Sequence, residues 1–478
     1  MLALALGGCG QRRTDDQPVE VSVIGGPAAL GDPNRGPLSP AGQMLLHATA
    51  QGLVRFDASG GIEPGLAERW IVIDDGKSVI FRLSEAEWPN GDAVTADDVV
   101  PVLRRVIARA SRNSLAPYLT AIDEIVAMTP QVIEIRLSRP RPDILKLFAQ
   151  PELAIPAPRG GGGTGPFRIE RESRPGILLR PGIDPLRATD DEAVDPSPHD
   201  FVRLRGERAA LAIARFAAKK LDLVSGGSIG DWPILKHAGI APANIRVDAA
   251  AGLFGLAVAN RDGFLADPIN RGAVAMAIDR AALTRNITPN WRSAENVLPE
   301  QLDSAAPPAA PAWTAVAPDD RIATAQARVA HYQQSHPGPV TLRIAVPAAP
   351  GGTLIYAEIA AALRAVGLSP QRVDGDAPAE LRLVDAVAPY DSARWYLRTA
   401  CQPCGEEAAT LIEAARDAPT LPERAMRLAE ADAALAGDVA FIPIAQPLRW
   451  SLVAARLRAW TPNARAFHPL NHLRAAPR

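Results

Sequence analysis

The chain has 478 residues and a net charge of −2, a length beyond one comfortable core that predicts two or three lobes. The near-balanced charge argues against a general nucleic-acid or membrane-surface binder. No apolar run reaches the roughly 20 residues that a membrane-spanning helix needs, while a hydrophobic content of 47% supports folded cores.

Met1 to Gly8, MLALALGG, is a short apolar run that ends in small residues just before Cys9. It resembles a bacterial lipoprotein signal with Leu6-Gly7-Gly8-Cys9 as the lipobox, and the polar stretch after Cys9 reads as a tether. No basic segment precedes the run, so this reading expects a start upstream of Met1. The alternative is a frayed apolar terminus.

Val19 to Ile24, VEVSVI, alternates like a strand, and Ala41 to Ala50 has a helical pattern. RWIVI (Arg69 to Ile73) and SVIFRL (Ser78 to Leu83) flank Asp74-Asp75-Gly76-Lys77 and predict a β-hairpin. In WPNGDAVTADDVV, Pro89-Asn90-Gly91 is a turn, and Thr95 with Asp97 and Asp98 opens a helix to about Arg109. Pro101 inside it removes a backbone bond and predicts a kink. QVIEIRLS (Gln131 to Ser138) is another strand, and the glycine run to Gly165 tightens into one more.

Asp184 to Pro198 reads as a surface loop, and helix then strand follow from Arg208 to Val224. GLFGLAVAN (Gly252 to Asn260) predicts a buried strand, followed by INRGAVAMAIDRAAL as one amphipathic helix. VTLRIAVP, a helix over about Leu354 to Val366 and LRLVDAV give β-α-β order. A helical stretch from Glu406 to Ala436 precedes the apolar VAFIPIAQPLRWSLVA.

These signals, in this order, resemble the extracytoplasmic solute-binding proteins of ABC importers, in the class with peptide- and nickel-binding members. The resemblance rests on LGDP (Leu30 to Pro33), the block from QGLVRFD to TADDVV, GTGPFRI, and FIPIAQ. It rests also on LAVAN with the later Asp267, Arg271, Ala277, Ile278, Asp279 and Arg280. It implies an α/β, two-lobed clamshell with mixed β-sheets and an extra subdomain in the first lobe. The expected division is 1–18 signal remnant and tether; 19–52, 164–254 and 451–478 lobe I core; 53–163 extra subdomain; 255–450 lobe II. Crossing strands are expected near Gly255 to Asn260 and Ala440 to Trp450. The implied function is capture of a small solute, peptide or peptide-like, for delivery to an ABC permease. The protein is expected to be a periplasmic monomer, lipid-anchored to a bacterial membrane, without cofactor or metal and without catalysis.

In peptide-binding relatives an Asp in a second-lobe segment anchors the substrate's amino group, and Asp385 falls closest to it, although Ala386 replaces the aromatic that follows. Tyr390, Arg394, Trp395 and Tyr396 concentrate aromatic faces and a guanidinium nearby, suited to a pocket or to packing beneath one. Asn260, at the end of its strand, matches a family Asn and is a further cleft candidate.

Three rival motifs remain. Gly226-Gly227-Ser228-Ile229-Gly230 fits a hydrolase elbow after a strand, so a secreted serine hydrolase using Ser228 is one alternative; a binding relative that senses without transport is another. Cys401 and Cys404 are expected to form a disulfide, with free thiols or a metal or redox pair as the alternatives. His468 and His472 have helical metal-pair spacing, but Pro469 opposes a helix there, and solvated terminal histidines are expected.

Overall fold

A computed structural model describes residues 16–474 apart from 159, 161, 174–175 and 183–195. Cys9 and most of the Asp184 to Pro198 segment lie outside the described residues.

Val19–Ile24 is the spine of a seven-stranded sheet, because its alternating valines are buried on one face. It pairs in parallel with Val202–Glu207 and Leu223–Ser228. Gly176–Pro181 and Phe167–Ser173 extend one side; Arg449–Val453 and Ile245–Asp248 extend the other, antiparallel. Val19, Val21 and Val23 pack against Met44, Leu45 and Ala48 of helix Pro40–Thr49. Helix Ala209–Ala217 forms a separate cluster with Val224, Trp450 and Leu452.

Between the first and later strands of that sheet the chain builds an antiparallel four-stranded subdomain. Its spatial order is Ala67–Ile73, Ser78–Leu83, Val132–Leu137, Ile122–Thr129. Helix Ala96–Ile107 covers one face, where Val99, Leu103 and Val106 meet Phe81, Ile125, Ile133 and Ile135. The turn before it needs Gly91, whose φ is +86°. The Asp98 carboxylate then accepts from the Thr95 backbone N–H at 3.0 Å and its hydroxyl at 2.7 Å, closing a capping box. The helix continues through Pro101, which lies on its exposed face.

A five-stranded sheet forms the second lobe, in the order Leu368–Asp374, Val340–Val346, Leu381–Val387, Gly252–Val258, Phe441–Ala445. Alternation along Gly252–Val258 separates two cores. Phe254, Leu256 and Val258 face a cluster with helices Pro268–Ala277 and Pro350–Ala365. Leu253 and Ala257 face one with helices Ala393–Ala400, Glu406–Asp417 and Leu421–Asp438.

The structure differs from the sequence expectations at four points. INRGAVAMAIDRAAL is two helices, because Asp279 leaves the helix and caps Arg280–Ile287 through the Ala282 N–H at 2.9 Å. Glu406 to Ala436 is likewise divided, at Ala418-Pro419-Thr420, with Thr420 capping the second helix. LSPQRVD is an extra parallel strand between the expected helix and LRLVDAV. Gly252–Val258 belongs wholly to the second-lobe sheet, so the chain crosses at 249–251, not at Gly255 to Asn260, whereas it returns at 446–448, within Ala440 to Trp450. Asn260 therefore lies beyond the far end of the strand, about 30 Å of extended chain from the crossing.

Candidate functional site

A cavity of about 350 Å³ lies where the three parts of the chain meet. The first lobe contributes Gln43 from helix Pro40–Thr49, with Arg465 and Phe467 from the C-terminal segment. The extra subdomain contributes Ser114, Leu115 and Tyr118, and Gln150 to Glu152. The second lobe contributes Val387, Ala388 and Pro389, directly after strand Leu381–Val387, and Trp395. That volume falls in the usual range of small-ligand sites.

Polar contacts bridge the lobes around it. Asp391 pairs with Lys146 of the extra subdomain and with Arg465 of the first-lobe segment. Arg465 also donates to the Ala388 carbonyl at 2.6 Å, and Gln150 donates to the Pro389 carbonyl. Nearer the crossing, Arg449 donates to Asp385 at 2.8 Å. Burial raises the Asp385 carboxyl above the ordinary range, and Arg449 opposes that shift without cancelling it.

The expected aromatic set does not act as one surface. Trp395 lines the cavity and meets Tyr396 edge-on at 5.0 Å. Tyr396 is 1% exposed, and burial pushes its phenol up. Tyr390 and Arg394 line a narrower gap with Tyr118, Arg141 and Arg424. Tyr390 meets Tyr118 edge-on at 5.7 Å, and its phenol is also raised by burial. Asn260 lines a different depression, with Asp262, Val340 and Glu380, and its side-chain oxygen accepts from the Asp262 N–H at 3.1 Å. The structure does not bring it to the cavity.

Most of the motif residues that carry the family resemblance are scaffold. Arg271, 1% exposed, pairs with Asp438 at 2.8 Å. Asp267 caps its helix through the Ile269 N–H. Arg280 donates to the Pro443 carbonyl at 2.7 Å and lies 4.2 Å from the Trp313 ring centroid. Desolvation first, opposed in part by Glu295, lowers the Arg280 guanidinium to about 10.

Ser228 ends its strand, and its hydroxyl accepts from the Gly230 N–H at 3.1 Å. No histidine hydrogen-bonds it among the described residues. The glycine before it has a packing reason: a Cβ on Gly227 would lie 2.2 Å from the Trp450 indole. His468 and His472 are not a pair, and neither is solvated as expected. Buried His468 lies 3.2 Å from Asp248, and His472 lies 2.9 Å from Glu63. Cys401 and Cys404 are bonded to each other, ahead of helix Glu406–Asp417. Among the described residues no group of His, Cys, Asp or Glu could hold a metal ion, and no helix is long and apolar enough to cross a membrane.

The sequence reading missed Gln43, Lys146, Gln150, Glu152, Asp391 and Arg465. A usable signal existed for some: Gln150 and Glu152 interrupt the apolar LFAQPELAIP, where polar residues need partners or a ligand.

The sequence profile described as "Bacterial extracellular solute-binding proteins, family 5 Middle" matches residues 61–374. The chain is 29% identical over 145 residues to a probable deoxycholate-binding periplasmic protein of Escherichia coli, covering 27% of each chain. It is 42% identical over 77 residues to the periplasmic oligopeptide-binding protein OppA of Haemophilus influenzae, covering 16% of this chain and 14% of that one. These alignments therefore span about a quarter or less of either relative. The solved structure of Escherichia coli murein tripeptide binding protein MppA superposes with a TM-score of 0.78 at 16% identity, covering 97% of this chain and 99% of that one. Haemophilus influenzae OppA, in complex with the peptide RPPGFSPFR, gives 0.76 at 17% identity, covering 96% and 99%. At such identity the likeness shows the two-lobed fold.

Proposed function

The chain belongs to the bacterial extracellular solute-binding proteins of family 5, and from that membership we propose that it captures a small solute, peptide or peptide-like, between its lobes for an ABC permease. The observation that carries this reading is the cavity walled jointly by first lobe, extra subdomain and second lobe. Such a site forms only when the lobes approach, so occupancy changes the outer surface that a permease can read. Binding and release are enough for this task, and it requires no chemistry at Ser228. Trp395 is proposed as an aromatic wall of the site, with Tyr390, Arg394 and Tyr396 supporting it from behind. The lobe division proposed here follows the sheets: 53–163 as the extra subdomain and about 250–447 as the second lobe.

We also propose that the protein works as a monomer in the periplasm, anchored through lipidated Cys9. Globomycin-sensitive processing supports the anchor, whereas a Cys9→Ala protein that fractionates like wild type overturns it. Solute capture is tested by native mass spectrometry of protein purified from its own periplasm, with scattering before and after ligand removal. A retained small molecule and a more open ligand-free form support the reading. No retained ligand, and one unchanging form across a peptide and small-solute panel, would refute it.

A further inference from the structure

Two charged side chains line the interlobe cavity, Arg465 and Glu152. They differ in one respect. Arg465 has a carboxylate partner, Asp391, which it shares with Lys146, and it donates to the Ala388 carbonyl. Glu152 has one side-chain partner, the neutral Gln43 amide, which donates to its Oε1 at 2.7 Å. Among the described residues no cation pairs with Glu152. A carboxylate in a walled cavity without a cation is costly unless something else supplies the charge.

The rest of the lining suits a cation. Tyr118, Trp395 and Phe467 are among its lining residues, and aromatic rings attract ammonium and guanidinium groups through their faces. The other carboxylates near the crossing are already paired: Asp385 with Arg449, and Asp391 with Lys146 and Arg465. We propose that Glu152 is the ligand-charge anchor of this protein, receiving a primary ammonium or guanidinium group of the bound solute, while Asp385 is neutralised internally and takes no part. Burial raises the Glu152 carboxyl, against its own backbone N–H and Gln43, and no charged neighbour contributes. That is the signature of a carboxylate without a counter-ion.

The inference rests on solute capture in this cavity, and its test separates the two. Ligand-stripped protein is titrated by calorimetry with the tripeptide Ala-Phe-Ala, its N-acetylated form and agmatine. The wild type should bind at least one of the two cationic probes. If it binds the tripeptide, acetylation should weaken that binding at least 10-fold. Glu152→Gln should weaken the cationic probe about 10- to 100-fold, with Asp385→Asn changing it less than about 3-fold. Equal affinity for free and acetylated peptide, an unchanged Glu152→Gln, or no binding of either cation overturns the proposal. An anionic or neutral solute retained on native purification also overturns it, yet leaves solute capture standing. The acetylation comparison uses the wild-type protein, so equal affinity there overturns the proposal even if Glu152→Gln folds poorly.

Discussion

The Asp385 carboxylate and the Arg449 guanidinium, 2.8 Å apart, join the second-lobe sheet to the first just where the chain returns between them. Arg449 also donates to the Asp385 backbone carbonyl at 3.3 Å, so it holds the strand as well as the charge. Both side chains are largely withdrawn from solvent, at 20% and 16% exposure.

Removing one member of this pair strands the other. Arg449→Gln is expected to cost about 1 to 3 kcal/mol of folding stability at neutral pH, and adding Asp385→Asn should recover part of it. Urea unfolding of the two single variants and the double variant measures the coupling. A coupling below about 0.5 kcal/mol would mean that solvent screens the pair.

Trp395 is 5% exposed and is packed against Tyr396 as well as lining the cavity. Trp395→Ala should therefore cost about 3 kcal/mol in folding, a packing loss. Trp395→Phe should retain most of that stability while weakening ligand binding. A thermal melt unchanged by the alanine substitution, with affinity lost, would make the side chain a ligand contact alone.

Asp432 is 3% exposed and accepts the Ala309 N–H at 2.7 Å, with no cationic partner among the described residues. Desolvation raises its carboxyl from 3.8 to about 6. The folded state thus binds this proton more tightly than the unfolded chain. The resulting stability is present below pH 3.8 and is lost as pH rises through about 6. Asp432→Asn keeps the acceptor without the charge, so it should raise stability by about 1 to 3 kcal/mol at pH 7.5 and little at pH 4. Equal gains at both pH values would contradict the desolvation account.

Asp438 gathers Arg261, Arg271 and the Gly405 N–H, tying helix Pro268–Ala277 to the end of helix Leu421–Asp438. Burial would raise its carboxyl, but these partners hold it below the ordinary range. Asp438→Ala should cost about 3 to 5 kcal/mol, because it leaves the buried Arg271 without its counter-ion. Chemical denaturation checks this, and a loss under about 1 kcal/mol would mean that backbone carbonyls suffice for Arg271.

Local signals in the sequence determined much of the scaffold. VEVSVI, the hairpin at Asp74 to Lys77, and the turn and capping box from Pro89 to Asp98 each carry their partners within a few residues. The fold class was legible for the same reason, since such motifs recur in a recognisable order. Cavity residues were not legible. Gln43, Glu152, Trp395 and Arg465 come from segments up to hundreds of positions apart and meet only after the lobes pack. Asn260 illustrates the complementary failure: its motif was readable, but which end of Gly252–Val258 faces the first lobe depends on strand direction within the packed sheet. The Asp385 motif position likewise carried no sign that a residue 64 positions away would neutralise it. Charge pairing across lobes is a property of packing, because burial and distance, not residue type, decide whether a carboxylate awaits a ligand or already has its cation.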